Sequence, residues 1–206
     1  MTTPLPSDRQ SPHEAIADIL WLWAALFDGP PPETVWTTVR ESVIPGICEA
    51  LNRPVDLPDY LRIDTRTLAT QYEELFCIPM PGSPYSLYDD VDMPSEEDPN
   101  LWQLAAILDI EWQKEEFSPG RAYPISPDHL SVLFALWAAL IGLPNVPELL
   151  GKSRAEWLDV LAHKVIRILS RIRQSLPDDS TYGWLAGLAL DYAERTAAWV
   201  KEPEPR

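Results

Sequence analysis

The chain has 206 residues, of which 46% are hydrophobic, with nine Trp and 22 Pro; that is enough apolar material for a buried core, and it excludes a disordered chain. Against 16 Lys and Arg stand 32 Asp and Glu, a formal charge of −16, which argues against nucleic acid as a partner and favours cationic ones. Cys48 and Cys77 form no CxxC and suit free thiols in a reducing compartment.

The predicted elements are all helical, because no useful stretch alternates with period two. Residues 1–10 lack the basic region of a signal peptide and read as a flexible N-terminus. Ser11-Pro12-His13-Glu14 has the form of a capping box with proline at the first helical position. Ile16, Ile19, Leu20, Trp23 and Phe27 follow on one face, and Gly29 with Pro30 to Pro32 ends the helix. A shorter helix with Val35, Trp36 and Val39 is expected to end before Pro45-Gly46, with another turn or two over Ile47 to Leu51. Asp64 caps the next helix, whose core face is Leu68, Tyr72, Leu75 and Phe76.

Residues 77–98 read as a proline-rich loop with six acids in its last ten residues. Loops of this length in a compact domain are usually functional or disordered. Pro99-Asn100 opens a helix carrying Leu101, Leu104, Ala105, Leu108 and Trp112, closed by Ser118-Pro119-Gly120. Ser126 as cap and Pro127 at the first position open the most apolar helix of the chain, with Leu130, Leu133, Phe134, Trp137 and Ile141. Its apolar run of about 14 residues is shorter than the ~20 a membrane span needs, so it is expected at the centre of a bundle. Ser153 and Glu156 form a second capping box, opening a helix through Trp157, Leu161, Val165, Ile168, Ile172 and Leu176. After Pro177-Asp178-Asp179 a last helix carries Leu185, Leu188, Tyr192 and Trp199, and residues 201–206 form a polar tail. The expectation is an all-α, single-domain bundle of about seven to eight helices over residues 11–200, packed around two apolar central ones, in a soluble cytoplasmic protein.

Chemistry is sparse. His13, His129 and His163 show no HxxxH or HExxH spacing, there is no GxSxG and no glycine-rich phosphate loop. No metal, cofactor or catalytic residue is therefore expected. Two stretches stand out instead. Asp128-His129 lies at the head of a helix built for burial, where an acid in the first turn also suits the helix dipole. Pro79 to Tyr88 is either a stiff connection anchored on the core by Tyr85 and Tyr88, or the aromatic rim of a peptide groove. Lys164, Arg167 and Arg171 form a basic stripe, expected to be solvated or to face the acidic loop.

Leu75-Phe76 followed by Pro79, and then Pro84-Tyr85-Ser86-Leu87-Tyr88, is similar to the LF-x-GP … PY-x-S-x-Y signature of the TorD/DmsD/NarJ redox-enzyme maturation chaperones. Pro127-Asp128-His129-Leu130 resembles the PDHL motif of the same family. The order and spacing agree over nearly the whole chain, although Ile78 stands where the family usually has Gly and the Pro84 to Tyr88 stretch is one residue short. The resemblance implies a cofactor-free helical chaperone, a monomer or a domain-swapped dimer. It would bind the twin-arginine signal peptide or N-terminal region of a molybdopterin oxidoreductase and assist cofactor insertion before export. The peptide-binding residues it implies are Asp128, His129, Tyr85, Ser86, Tyr88, Leu75, Phe76 and Pro79. Alternatives are a NarJ-like assembly factor for a non-exported reductase, or a small all-helical ligand-binding protein or enzyme.

Overall fold

Burial of helix stripes against one another organises the chain, as seen in a computed structural model that describes residues 11–55, 57–77, 86–88, 99–110, 128–143, 145–177 and 179–201. The α-helices are α1 (Pro12–Asp28), α2 (Glu33–Thr38), α3 (Ile44–Ala50), α4 (Thr65–Tyr72), α5 (Pro99–Ile107), α6 (Leu130–Gly142), α7 (Arg154–Ser175) and α8 (Thr181–Lys201). Among the described residues there is no strand, and none of the helices is long and apolar enough to cross a membrane.

Helix α6 is the hub. Eleven of its residues are buried, on every side, and it packs on α1 and α7 while α7 packs on α8. The expectation of a central helix holds, and its cause is plain: a helix apolar all round is stable only where other helices cover it all round. α1 runs antiparallel to it, since Phe27 stacks on Phe134 with ring centroids 6.1 Å apart while the far end of α6, at Gly142, lies beside Ala17. Arg154 closes the far end of α6 by donating from Nε to the Leu140 carbonyl at 2.8 Å and from Nη2 to that of Ile141 at 3.3 Å. These are carbonyls that a helix end leaves without partners.

Both expected capping boxes are present. Ser11 N–H donates to Glu14 Oε2 at 2.7 Å and Ser153 N–H to Glu156 Oε2 at 2.7 Å, while each serine hydroxyl accepts from the amide three residues on. Asp64 caps α4 through Thr67 N–H at 2.7 Å. The backbone and hydroxyl of Ser11 hold the Glu14 carboxyl below its ordinary 4.5, the hydroxyl and backbone of Ser153 do the same for Glu156, and Thr67 lowers Asp64. A carboxyl whose folded pKa is depressed stabilises the fold above its unfolded pKa and loses that contribution as pH falls through the folded value. The thermal midpoint of Glu156→Gln should therefore fall below wild type near pH 7 and converge with it as the pH falls through the lowered folded-state pKa of Glu156. A gap that persists at the lower pH would assign the effect to packing.

Two departures from the sequence expectations concern turns. The helix through Trp36 does not stop before Pro45; it continues through a π-helical turn, Val39–Val43, into α3, which has Pro45 in its first turn. Pro45 has no N–H to donate and its ring crowds the carbonyl four residues back, and a turn widened to five-residue bonds (Ile44 N–H to Val39 O) relieves that crowding. A second π turn, Glu73–Cys77, extends α4 and carries Leu75 and Phe76. Of the three residues named on that helix, Val35 is exposed, whereas Trp36 and Val39 are buried. The second departure is at the head of α6. The helix begins at Leu130 with His129 as its cap, so Asp128 stands just outside it rather than in its first turn. Ser126, Pro127 and Trp112 lie outside the described residues.

Candidate functional site

The two stretches singled out in the sequence meet. Tyr88 and His129 form an isolated antiparallel bridge, and Leu130 N–H donates to the Leu87 carbonyl at 2.7 Å. The bridge explains why α6 starts late: His129 is held extended, at φ −68° and ψ 140°, by its pairing with Tyr88. The rings of Tyr88 and His129 stand edge to face with centroids 5.0 Å apart. His129 is buried, 4% exposed, and Leu87 is buried beside it, while Ser86, Tyr88 and Asp128 are half-buried.

His129 is tied to the helices on either side. Its Nδ1 lies 2.7 Å from Ser131 Oγ and 3.3 Å from Ser131 N, and Ser131 Oγ lies 3.4 Å from Asp28 Oδ1 at the end of α1. With Nδ1 unprotonated the ring accepts from Ser131 N–H and caps α6. With Nδ1 protonated it donates to Ser131 Oγ, which turns its own hydrogen towards Asp28. Tyr72 OH reaches the Phe27 and Asp28 carbonyls at 3.1 Å each, so α4 closes the same end of α1.

The third anchor is cationic. Arg171 on α7 donates through Nη2 to the Ser86 carbonyl at 2.7 Å and to the Tyr88 carbonyl. Of the two expectations for Arg171, a solvated stripe or a face turned to the loop 77–98, the second describes its position: it is half-buried and grips backbone carbonyls of that loop. Ser86 Oγ accepts from Tyr88 N–H at 3.2 Å and tightens the same short segment. Three consecutive carbonyls of Ser86, Leu87 and Tyr88 are thus engaged by α7 and by the first amide of α6. A guanidinium suits this task because its planar fork presents several donors at once.

Not every expected site residue joins this cluster. Leu75 and Phe76 pack partly buried on the core, and the Phe76 ring contacts Tyr72 and Tyr182 at 5.2 Å each, on the α8 side. Tyr85 and Pro79 lie outside the described residues. Asp128, placed at the lip of the cluster, has its Oδ1 buried with no hydrogen-bond partner among the described residues. Asp28, Ser131, Tyr72 and Arg171 were not foreseen as site residues. Only Ser131, two residues after His129, carried a local signal, since a hydroxyl at that spacing can bond a neighbouring side chain.

Among the described residues no three His, Cys, Asp or Glu side chains gather closely enough to hold a metal ion. What the cluster offers is a buried imidazole, an edge-on tyrosine and a carboxylate oxygen in need of a donor, around a backbone segment whose own polar groups are largely satisfied. Such a surface can bind by side-chain contacts. No family model, no curated protein and no solved structure matches this chain.

Proposed function

We propose that this chain is a chaperone that binds the twin-arginine signal peptide or N-terminal region of a molybdopterin oxidoreductase in the cytoplasm before the client's export. The observation that carries the proposal is the junction of Tyr88 with Asp128-His129: two stretches about forty residues apart, both resembling motifs of one chaperone family, share one bridge. The chemistry supports the same reading. A buried carboxylate oxygen without a donor is costly, and an incoming guanidinium satisfies it with a charge-assisted hydrogen bond. Tyr88 supplies an aromatic face beside it, and the charge of −16 draws a cationic peptide in. Recognition runs through side chains rather than by strand addition, because Arg171 and Leu130 N–H already occupy the carbonyls of Ser86, Leu87 and Tyr88.

Titration calorimetry with a synthetic twin-arginine peptide tests the reading. Binding is expected at micromolar Kd or tighter, weakening with salt and weakening again when both arginines become lysine. Asp128→Ala should weaken it by about tenfold with little change in thermal midpoint, as expected for a charge-assisted bond made only in the complex. Absence of binding to any twin-arginine peptide would sink the reading. Binding of a reductase N-terminus without paired arginines, with the twin-arginine peptide ignored, would place the chain with assembly factors of non-exported enzymes instead.

A further inference from the structure

A cleft of about 540 Å³ lies away from this cluster and shares no residue with it. Its walls are Arg40 and Glu41 on one side and Val55, Leu57 and Arg62 on the other. The first wall belongs to the π turn that follows α2; the second is Val55, Leu57 and Arg62, which lie between α3 and α4 in the chain. The two walls are fastened together. Trp36 Nε1–H donates to the Ile63 carbonyl at 2.9 Å, and Glu33 accepts from Thr65 N–H at 2.9 Å and from Thr65 Oγ1 at 2.6 Å. The segments that carry the two walls are therefore held together, and the cleft's volume is within the size range of small-molecule sites.

We infer that this cleft is a binding site for a small organic oxyanion, a phosphate or carboxylate group carried on a short apolar body. Two guanidiniums in one cleft are notable in a chain with twice as many acids as bases. Among the described residues neither has a strong partner. Arg62 pairs with Asp59 at 3.7 Å, and both side chains are largely exposed, at 67% and 97%. Arg40, only 19% exposed, meets Glu41 at 3.0 Å through Nη2 and the Ile63 carbonyl at 3.5 Å through Nη1. The Arg62–Asp59 pair is exposed on both sides and weak, and Glu41, itself 62% exposed, is a screened partner for Arg40; both yield to a better-placed anion. Among the described residues Glu33 also acts on Arg40, and its carboxylate is committed to Thr65.

Val55, 40% exposed, and Leu57 supply the cleft's apolar floor. An inorganic ion would leave that floor in water, which is why the ligand carries an apolar body. The π turn gives an independent pointer. Such turns are rare, recur at functional sites, and here set Arg40 and Glu41 on the cleft wall.

The cleft makes a prediction with opposite signs at neighbouring residues. Calorimetry with phenylphosphonate, benzoate and inorganic phosphate, at low and at physiological salt, gives the readout. Phenylphosphonate or benzoate is expected to bind saturably, which distinguishes a phosphate from a carboxylate ligand, and inorganic phosphate to bind at least about tenfold more weakly than the better of them. Arg62→Gln, an exposed position whose loss leaves the core intact, should weaken that binding by about tenfold. Glu41→Gln, which removes the competing acid, should tighten it by about threefold. Arg195→Gln, the same charge change on the exposed face of α8, should leave it unchanged. No saturable binding by any of the three probes overturns the inference. So does a loss in Arg62→Gln no larger than in Arg195→Gln, or inorganic phosphate binding as well as the two aromatic anions.

Discussion

Replacing Arg171 with methionine is expected to free the segment Ser86–Tyr88 and to abolish binding at the Tyr88–His129 cluster. Arg171 holds the Ser86 and Tyr88 carbonyls from α7, and Leu130 N–H holds the Leu87 carbonyl from α6. Hydrogen bonds from a charged donor contribute more than neutral ones, so losing this grip should cost about 2–3 kcal/mol of stability. Methionine keeps the aliphatic stem packed, which limits the loss to the charge and its donors. Lysine offers a point charge without the fork, and Arg171→Lys should fall between wild type and methionine. Amide exchange at Leu130 reports the effect directly, because that amide is protected by the Leu87 carbonyl. Fast exchange at Leu130 with peptide binding lost would establish Arg171 as the positioning residue of the site. Unchanged exchange would mean that α6 holds the segment alone.

The second large effect is expected where α7 turns back into α8. A methyl group on Gly183 would stand 2.4 Å from the Pro177 carbonyl oxygen and 2.6 Å from Ser180 Oγ. Both belong to the turn itself: the Ser180 hydroxyl donates to the Pro177 carbonyl at 2.8 Å and accepts from Gly183 N–H at 3.0 Å. Backbone cannot step aside there without opening the hairpin, so Gly183→Ala should destabilise by about 1–3 kcal/mol despite alanine's better helix propensity. Gly187, one turn later, is the matched comparison. Its nearest obstacle is the end of the Arg173 side chain, with Nε at 2.9 Å, which can swing away. Gly187→Ala should be neutral or stabilising by up to about 1 kcal/mol. Urea unfolding of the two variants separates the cases, and equal midpoints would mean the α7–α8 turn is more pliant than its geometry indicates.

Where the residues carried a local rule, their reading was legible from the chain. Ser11 with Glu14, Asp64 before Thr67, and Ser153 with Glu156 form their caps from neighbours three residues apart, and nothing distant is needed to see them. The burial of α6 on all sides was equally visible, since Leu130 to Ile141 leaves no polar face to turn outward. The continuation past Pro45 was not visible, because it depends on a π turn that no residue pattern announces. The same holds for the start of α6. Ser126-Pro127 has the form of a helix start, yet His129 is pulled into an extended conformation by pairing with Tyr88.

The sequence by itself determined the all-helical class, the helix faces and the two stretches that needed explaining. It did so because caps, proline stops and apolar stripes are short-range effects, decided within one or two turns of chain. The tertiary structure alone decided that Tyr88 meets His129, that Asp28 and Ser131 stand behind the ring, and that Arg171 binds backbone instead of water. Apart from the contact between His129 and Ser131, these join residues 41 to 103 positions apart, and their partners are chosen by how α1, α6 and α7 pack. Packing is a property of whole faces, so no local pattern around Arg171 distinguishes a guanidinium that will grip two carbonyls from one that will face solvent.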